Sequence, residues 1–174
     1  AVLQLHHRRG SADHRRVFRR VRAMARPNPR RSLTKYRHKR DFTKTAEPSG
    51  EEDAASTGHA FVVQKHAASH LHYDFRLEMH DVLKSWSVPK GPPFKTNERR
   101  LAMPTEDHPL EYLDFEGVIP KGQYGGGTVM VWDIGTYELI EGNYYKGFLR
   151  FYLNGAKLKG EWTLDRIRDD KRNA

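Results

Sequence analysis

The stretch HLHYDFRLEMHDVLKSWSVP, residues 70–89, decides the fold class of this chain. From residue 71 to residue 78 apolar and polar side chains alternate, which is the pattern of a β-strand whose two faces differ. A second run, VLKSWSVP, begins directly after His80-Asp81. Two strand-like runs separated by two residues predict a β-hairpin.

Three further segments have the same strand-like character, and they are HAFVVQKH at 59–66, TVMVWDIGTYELI at 128–140 and GFLRFYLNGAKLKGEWTLDRI at 147–167. In the last of these, Asn154-Gly155 predicts a type I′ hairpin turn. Many short strands with frequent Gly and Pro indicate a mainly β fold, either a barrel or a sandwich. We expect short helices only in the N-terminal part and at residues 109–115.

Charge divides the chain unevenly. Residues 1–40 hold 14 of the 31 Lys and Arg residues and a single acid, Asp13, for a net charge of +13. Residues 41–174 hold 17 basic and 21 acidic residues, a net charge of −4. Any affinity of the globular part for anions must therefore come from a local cluster.

These patterns predict four regions: a basic tail over 1–32, a strap or linker over 33–58, a β domain over 59–168 and a short tail over 169–174. Long runs of like charge repel and stay solvated, so we expect the first region to be disordered. It could instead anchor a DNA backbone, or be a non-native leader, since Met24 precedes a plausible start. On each of these three interpretations, deletion of residues 1–23 should leave the chemistry intact.

Composition narrows the function classes. No run approaches the roughly 18 apolar residues of a membrane-spanning helix, so we expect a cytoplasmic protein without a membrane partner. Cysteine is absent, which excludes a disulfide framework and a thiolate metal site. Any metal must be held by imidazole and carboxylate groups.

The polar face of the first predicted strand suggests a metal site. His72 and Asp74 are two residues apart, so their Cα atoms lie roughly 6.6 Å apart on one face, with Arg76 beyond them. His66, at the end of the preceding strand, could supply a third ligand. Two imidazoles and a carboxylate suit Mn²⁺, Fe²⁺ or Zn²⁺, although a solvated strand face is the simpler alternative.

A second group of residues can handle anions. It comprises Lys90, Arg99-Arg100 and His108, the last in an extended or turn conformation because Pro109 follows it. Lys and Arg offer charge-assisted hydrogen bonds to phosphate oxygens. Together with a metal triad, such residues favour metal-assisted hydrolysis of a phosphoester.

Four motifs, in order, resemble one family: QKHAASHLHYDFRLE, LKSWSVPKGP, RRLAMPTEDHPLEYLDFEGVIPKGQYGGG and VWDIGTYEL. It is the 3′-phosphoesterase domain that accompanies bacterial DNA ligase D and also occurs free-standing. The resemblance runs from about Tyr36 to about Ile167, with KYRHKRDF similar to the family's N-terminal strap. It implies a small closed or partly closed β-barrel and a Mn²⁺-dependent enzyme for non-homologous end joining. Such an enzyme removes a 3′-terminal ribonucleoside and then the 3′-phosphate, leaving a 3′-OH.

Position by position, the resemblance implies that His66, His72 and Asp74 are the metal ligands. It implies that Arg76 and His108 contact the phosphate, and that His108 could assist protonation of the leaving group.

Further residues match the family's auxiliary positions. Tyr112 matches a tyrosine near the phosphate, and Lys90 and Arg100 match auxiliary basic residues. Gln64 and Glu106 look like groups that orient the ligands or the basic residues.

In the strap, Asp41 and Glu47 match acidic residues associated with removal of the ribonucleoside. His70 stands where the family often has Arg or Lys, so we expect a neighbour and not a ligand. His80-Asp81 replaces the usual Asp-Gly turn, and without glycine we expect a changed turn.

The resemblance implies DNA 3′ ends as substrate, on a primer-template that ends in a ribonucleotide or a 3′-phosphate. It suggests DNA ligase, polymerase and Ku as partners, a monomer, and a place at the nucleoid. Two alternatives stay open: a non-catalytic nucleic-acid or ligase-partner module on the same barrel, and an iron oxygenase with a two-histidine, one-carboxylate centre.

Overall fold

A computed structural model describes residues 2–9, 32–51 and 56–167 of the chain. Its strands are β1 (Val2–Arg8), β2 (Ala60–Ala67), β3 (Leu71–Met79), β4 (Val82–Val88), β5 (Arg99–Pro104), β6 (Gly117–Ile119), β7 (Gly127–Asn143), β8 (Phe148–Gly155) and β9 (Lys159–Ile167). Its helices are α1 (Thr34–His38) and two 3₁₀ helices, η1 (Leu110–Asp114) and η2 (Tyr144–Lys146).

Eight of the strands close into an antiparallel barrel, which confirms the predicted mainly β barrel fold. The strand order is β2-β3-β4-β5-β1-β9-β8-β7, and pairing of β7 with β2 closes the ring. Strand β6 adds to β7 outside the ring. Closure matters for stability because it removes the unpaired strand edges that invite aggregation.

The alternation of the wall strands sorts their side chains between two clusters. Phe61 and Val63 of β2 and Phe75 and Leu77 of β3 point into the barrel and are fully buried. A second apolar cluster lies outside the barrel, where the strap and η1 pack on the wall. It contains Leu33, Tyr36, Val82, Leu83 and Tyr112. The polar outer face of β2 and β3 is therefore covered by protein and is not a solvated surface.

Strand β1 corrects the expected organisation of the N-terminus. Residues 2–8, predicted to belong to a disordered tail, pair with β9 along their whole length, and residues 3–6 also pair with β5. Leu3 and Leu5 are buried in the barrel core because side chains two apart on a strand share a face. The Leu-Gln-Leu alternation was the available signal. Residues 10–31, the rest of the predicted tail, lie outside the described residues.

The turn between β3 and β4 keeps hairpin geometry without glycine. His80 and Asp81 both adopt positive φ, 55° and 63°, and Met79 pairs with Val82 across them. This is the two-residue loop typical of a type I′ hairpin. The expected change of turn type is therefore not seen.

The predicted type I′ turn at Asn154-Gly155 is wrong. Asn154 pairs with Lys159, so the turn lies at residues 156–158. The buried carboxylate of Asp133 accepts hydrogen bonds from the backbone N–H groups of all three turn residues. A Cβ on Gly155 would lie 2.4 Å from Asp133 Oδ2, so glycine is needed for close approach and not for its φ.

The two helical predictions, at the N-terminal part and near residues 109–115, agree with α1 and η1. Within the described ranges, no helix combines the length and the apolar character required to cross a bilayer.

Candidate active site

The pairing of β2 with β3 builds the floor of the site. Gln64 lies opposite Asp74, and His66 lies opposite His72. Candidate ligand atoms of His66, His72 and Asp74 all lie within 4.8 Å of one another. Register therefore brings together on one surface the three residues that the sequence nominated as ligands.

Backbone carbonyls set the tautomer of each histidine. His66 Nε2 lies 2.6 Å from the carbonyl oxygen of Gly125, and His72 Nδ1 lies 3.0 Å from that of His70. A carbonyl oxygen only accepts, so these nitrogens carry the protons. The opposite nitrogens, His66 Nδ1 and His72 Nε2, lie 3.3 Å and 3.4 Å from the Asp74 carboxylate. Metal-binding histidines typically donate one ring N–H to a carbonyl oxygen in this way, which directs the other nitrogen toward the site.

Asp74 is a buried carboxylate held in its ionised form. Burial acts to raise its pKa, but the Arg76 guanidinium and hydrogen bonds from His66 and His72 outweigh burial and hold the pKa well below its usual range. The hydrogen bond to Asp74 raises the pKa of His72. A metal must displace a proton from a protonated imidazole, so affinity at this triad should increase with pH.

Arg76 extends from the triad into the site and is almost fully buried. Its Nε donates to Gln64 Oε1 at 2.8 Å, and its Nη2 lies 3.4 Å from Asp74 Oδ2. Its Nη1 is buried with no hydrogen-bond partner among the described residues. A buried, unpaired cationic donor is costly unless an acceptor fills the space beside it.

Gln64 fixes the direction of that guanidinium. Its Nε2 donates to the backbone oxygens of Tyr112 and Phe115, at 2.9 Å and 3.0 Å, which leaves Oε1 for Arg76. The structure thus ties the β2 wall to η1 through one amide. Gln64 orients the arginine and has no contact with the histidines among its hydrogen bonds.

His108 is buried and neutral. Burial, then the positive charges of Arg76 and Arg40, lower its pKa well below 6.5. Its Nδ1 lies 2.9 Å from the carbonyl oxygen of Glu106 and so carries the proton. Its Nε2, 3.3 Å from Arg40 Nη2, accepts a hydrogen bond.

Arg40 is a site residue that the sequence reasoning missed. Its Nε lies 2.9 Å from Glu47, and its Nη1 lies 3.1 Å from Glu106. The guanidinium carbon lies 3.9 Å from the centre of the Tyr36 ring. The KRDF motif offered a signal, but the resemblance pointed to the neighbouring acid Asp41.

Two buried acids on the strap side hold the basic residues. Glu47 accepts hydrogen bonds from Arg40 and from the Tyr112 hydroxyl, the latter at 2.7 Å. Burial acts to raise the pKa of Glu106, but backbone and side-chain hydrogen bonds, including those from Lys39 and Arg40, lower it. Burial raises the pKa of Tyr112 far above its usual value, so its hydroxyl keeps its proton.

These groups surround a cavity of about 280 Å³. Its lining includes the three candidate ligands, Arg76, His108, Tyr112 and Glu106. It also includes Arg40, Ser87, Thr105 and Tyr124, none of which the sequence reasoning singled out. The cavity therefore combines a possible metal site with the buried guanidinium groups of Arg40 and Arg76 and the buried neutral imidazole of His108.

The comparisons with known proteins decide the family. Residues 64–166 match the family described as the DNA ligase D 3′-phosphoesterase domain. The chain belongs to this family. The resemblance deduced from the motifs is thereby confirmed, and the domain is a phosphoesterase, a class of hydrolase that acts on phosphoesters.

Relatives of this phosphoesterase domain are much longer proteins. The multifunctional non-homologous end joining protein LigD of Pseudomonas aeruginosa is 52% identical over 139 residues, 77% of this chain and 16% of that protein. LigD of Mycolicibacterium smegmatis is 55% identical over 143 residues, covering 76% and 19%. The LigD DNA repair protein of Mycobacterium tuberculosis H37Rv is 46% identical over 142 residues, covering 80% and 19%. The chain thus matches less than a fifth of each relative.

Several predicted residues of the phosphoesterase domain do not line the cavity. Lys90 is exposed, and Arg100 lies 3.5 Å from Glu98. The Asp41 carboxylate is occupied by hydrogen bonds from Thr43 and an ion pair with Lys44. Three hydrogen bonds lower the pKa of Asp41. In decreasing order of effect, they come from the Thr43 hydroxyl, the Thr43 backbone N–H and the Lys44 side chain.

Proposed function

We propose that this domain removes a 3′-terminal ribonucleoside and then the 3′-phosphate from DNA ends, leaving a 3′-OH for ligation. One observation carries the proposal: a single cavity joins a three-ligand group, a buried arginine with an unpaired nitrogen and a buried neutral histidine. The names of its relatives favour a role in non-homologous end joining.

The donor set of His66, His72 and Asp74 fits a divalent metal, because each imidazole directs toward the same carboxylate the nitrogen that is not held by a backbone carbonyl. Two nitrogens and one oxygen suit Mn²⁺ with positions left open for substrate. We assign Mn²⁺ as the physiological metal. When bound, the ion supplies Lewis-acid polarisation of the phosphoryl group and activation of a water nucleophile.

The arginines bind and orient the phosphoryl group. Arg76 offers Nη1, the buried donor without a partner among the described residues, and Gln64 holds it in place. Arg40 borders the same cavity from the strap, held by Glu47 and Glu106. Charge-assisted donors on two sides fit the non-bridging oxygens of a phosphate and oppose the charge that develops in the transition state.

His108 is suited to moving a proton once the phosphate is bound. In the free protein, burial and two guanidinium groups keep it neutral. A phosphate dianion beside it adds negative charge, which raises the imidazole pKa. His108 Nε2 can then give up its hydrogen bond from Arg40, take up a proton from solvent and donate it to the leaving oxygen, while the Glu106 carbonyl holds the ring through Nδ1.

The test uses two primer-templates, one ending in a 3′-phosphate and one in a 3′-ribonucleotide, each incubated with Mn²⁺ or with EDTA. We expect 3′-OH ends in Mn²⁺ and none in EDTA, measured by mass spectrometry of the products. Failure of the wild-type protein to produce 3′-OH ends with any divalent metal would overturn the proposal.

The same design separates the alternatives. A non-catalytic module would bind the ends without changing them, and an iron oxygenase would require O₂ and would leave phosphate ends intact. Arg40 and Arg76 in the cavity favour a phosphate over the small organic substrate of an oxygenase.

As for cellular context, we propose a monomer that works in the cytoplasm at the nucleoid. We propose DNA ligase, polymerase and Ku as its partners; the family description, which names DNA ligase D, and the relatives' names, which give non-homologous end joining, favour a role in that process.

A further inference from the structure

A glycine-rich turn carries one aromatic ring to the rim of the cavity. Strand β6 ends at Ile119, and the segment PKGQYGGG leads into β7. Gly122 and Gly125 adopt positive φ, 91° and 73°, so the chain bends sharply on both sides of Tyr124. The carbonyl of Gly125 contacts His66 Nε2 at 2.6 Å, which places Tyr124 one residue from a candidate ligand contact.

The strap fixes this ring from the opposite side. Lys39 Nζ donates to the Tyr124 hydroxyl at 3.2 Å and lies 4.6 Å from the ring centre. The guanidinium carbon of Arg40 lies 5.3 Å from the same ring centre. Lys39 also forms an ion pair with Glu106 at 3.1 Å, so the group that holds the ring is itself anchored to the cavity wall.

Tyr124 differs in exposure from Tyr112, the other tyrosine that lines the cavity. Tyr112 is 2% exposed and is covered by the strap, whereas Tyr124 is 46% exposed. Tyr124 therefore combines a fixed polar end with a free apolar surface at the mouth of the cavity. Such a ring beside a phosphate-binding group is the arrangement by which proteins stack on nucleic-acid bases.

We propose that Tyr124 is a substrate-binding residue whose ring stacks on the base of the nucleoside that carries the scissile phosphate. The inference rests on the proposed function. When the phosphate is bound near Arg76, the nucleoside attached to it must lie in the cavity mouth, beside Tyr124. Stacking serves any of the four bases because each presents a π face.

The test compares two 3′-phosphate ends that differ in one feature, a terminal nucleoside with its base or an abasic terminal nucleoside. For Tyr124→Ala we expect KM for the base-bearing end to rise roughly 5- to 150-fold, the range of a lost stacking contact. We expect little change in kcat and almost none in either constant on the abasic end. Tyr124→Phe, which keeps the ring, should restore KM to within about threefold of wild type.

Tyr145→Ala is the matched control, since Tyr145 is a tyrosine of similar exposure on η2, outside the cavity lining. Equal loss on both ends, or no loss on the base-bearing end, would overturn the stacking role while leaving the proposed function standing. A wild-type protein inactive on both ends would overturn the proposed function, and the stacking role with it. Unchanged Mn²⁺ affinity in Tyr124→Ala shows that the triad is intact, and lost affinity would mean that Tyr124 only supports the fold of the turn.

Discussion

At the scale of single residues, the three histidines of QKHAASHLHYDFRLE are not equivalent. His66 on β2 faces Asp74 across the strand pair, His72 lies two residues before Asp74 on β3, and His70 is exposed in the connecting loop. His70 acts through its backbone, because its carbonyl oxygen holds the His72 ring at Nδ1. We therefore expect the side chain at position 70 to be dispensable and the imidazole at position 72 to be required.

We expect His72→Ala to lose Mn²⁺ binding and to reduce both hydrolytic steps at least about 100-fold, the scale on which metal-site residues act. Isothermal titration with Mn²⁺ measures the first effect, and product analysis measures the second. His70→Ala is the control and should keep both properties. Tight Mn²⁺ binding by His72→Ala would contradict the ligand assignment.

His108 predicts a pH dependence of stability. Its pKa in the folded protein lies well below 6.5, so the unfolded state binds more protons below about pH 6.5. Stability should therefore fall as pH decreases from 6.5 toward the folded-state pKa. Relative to His108→Gln, the wild type should lose up to about 1.4 kcal/mol per pH unit in that range.

Urea unfolding at pH 7.5, 6.5 and 5.5 in EDTA checks this expectation. EDTA keeps metal binding at the neighbouring triad from adding its own pH dependence. Parallel pH profiles for the two proteins would show that His108 is protonated, or solvated, in the folded state.

At the scale of elements, β1 reverses one expectation drawn from the sequence. Deletion of residues 1–23 was expected to be harmless, but it would remove a strand that pairs with both β5 and β9. Loss of that strand opens the barrel and exposes two edges. We therefore expect the deletion to impair folding.

Single substitutions test the contribution of β1 to stability without removing the strand. Leu5 is fully buried, so Leu5→Ala should cost about 2 to 5 kcal/mol of unfolding free energy through lost burial and a cavity. Gln4→Ala, on the other face of β1, should change stability by no more than about 0.5 kcal/mol. Chemical denaturation measures both unfolding free energies. If the unfolding free energy of Leu5→Ala equals that of the wild type, β1 does not belong to the core.

The strap predicts a separation of the two hydrolytic steps. Glu47 does not line the cavity, but it holds Arg40 and the Tyr112 hydroxyl, which do. We expect Glu47→Ala to slow ribonucleoside removal by at least about tenfold more than phosphate removal, because the larger substrate needs the strap side ordered. Single-turnover rates on the two primer-templates measure this difference. An equal loss of rate on both substrates would reject this role of Glu47.

At the scale of the whole molecule, the charge of the chain and the chemistry of its cavity reside in different regions. Residues 41–174 carry a net charge of −4, whereas residues 1–40 carry +13. We therefore propose that general attraction to a DNA backbone comes mainly from the N-terminal arginines, and that the cavity supplies only local contacts.

We expect replacement of Arg15, Arg16, Arg19 and Arg20 by Gln to make the salt dependence of DNA binding shallower. The slope of log K against log salt should decrease by roughly 2 to 4, since each phosphate contact contributes about 0.9. Fluorescence anisotropy at several salt concentrations measures it. Replacement of the exposed lysines Lys146 and Lys159 on the barrel should leave the slope unchanged, and similar effects of the two sets would refute this division.

The sequence was informative where a local pattern determines structure. Period-two alternation identified the barrel strands and the shared face of His72, Asp74 and Arg76. It could not show that the strap buries this face, because that depends on packing between distant segments. For the same reason Arg40 and Tyr124 were missed, since each joins the cavity only through tertiary contacts. Asn154-Gly155 misled because Asp133, on another strand, determines where that turn falls.

The position of β1 also constrains how this protein can fold. The first described strand lies beside the last, with Leu5 opposite Leu164, so nearly the whole described chain separates two partners that must meet. Contacts this distant in sequence are slow to form, and they come late in synthesis. Until β9 emerges, β1 can pair only with β5, and the barrel wall stays open with its leucines exposed. The nascent chain should therefore be most vulnerable to aggregation and proteolysis in the interval just before β9 is available.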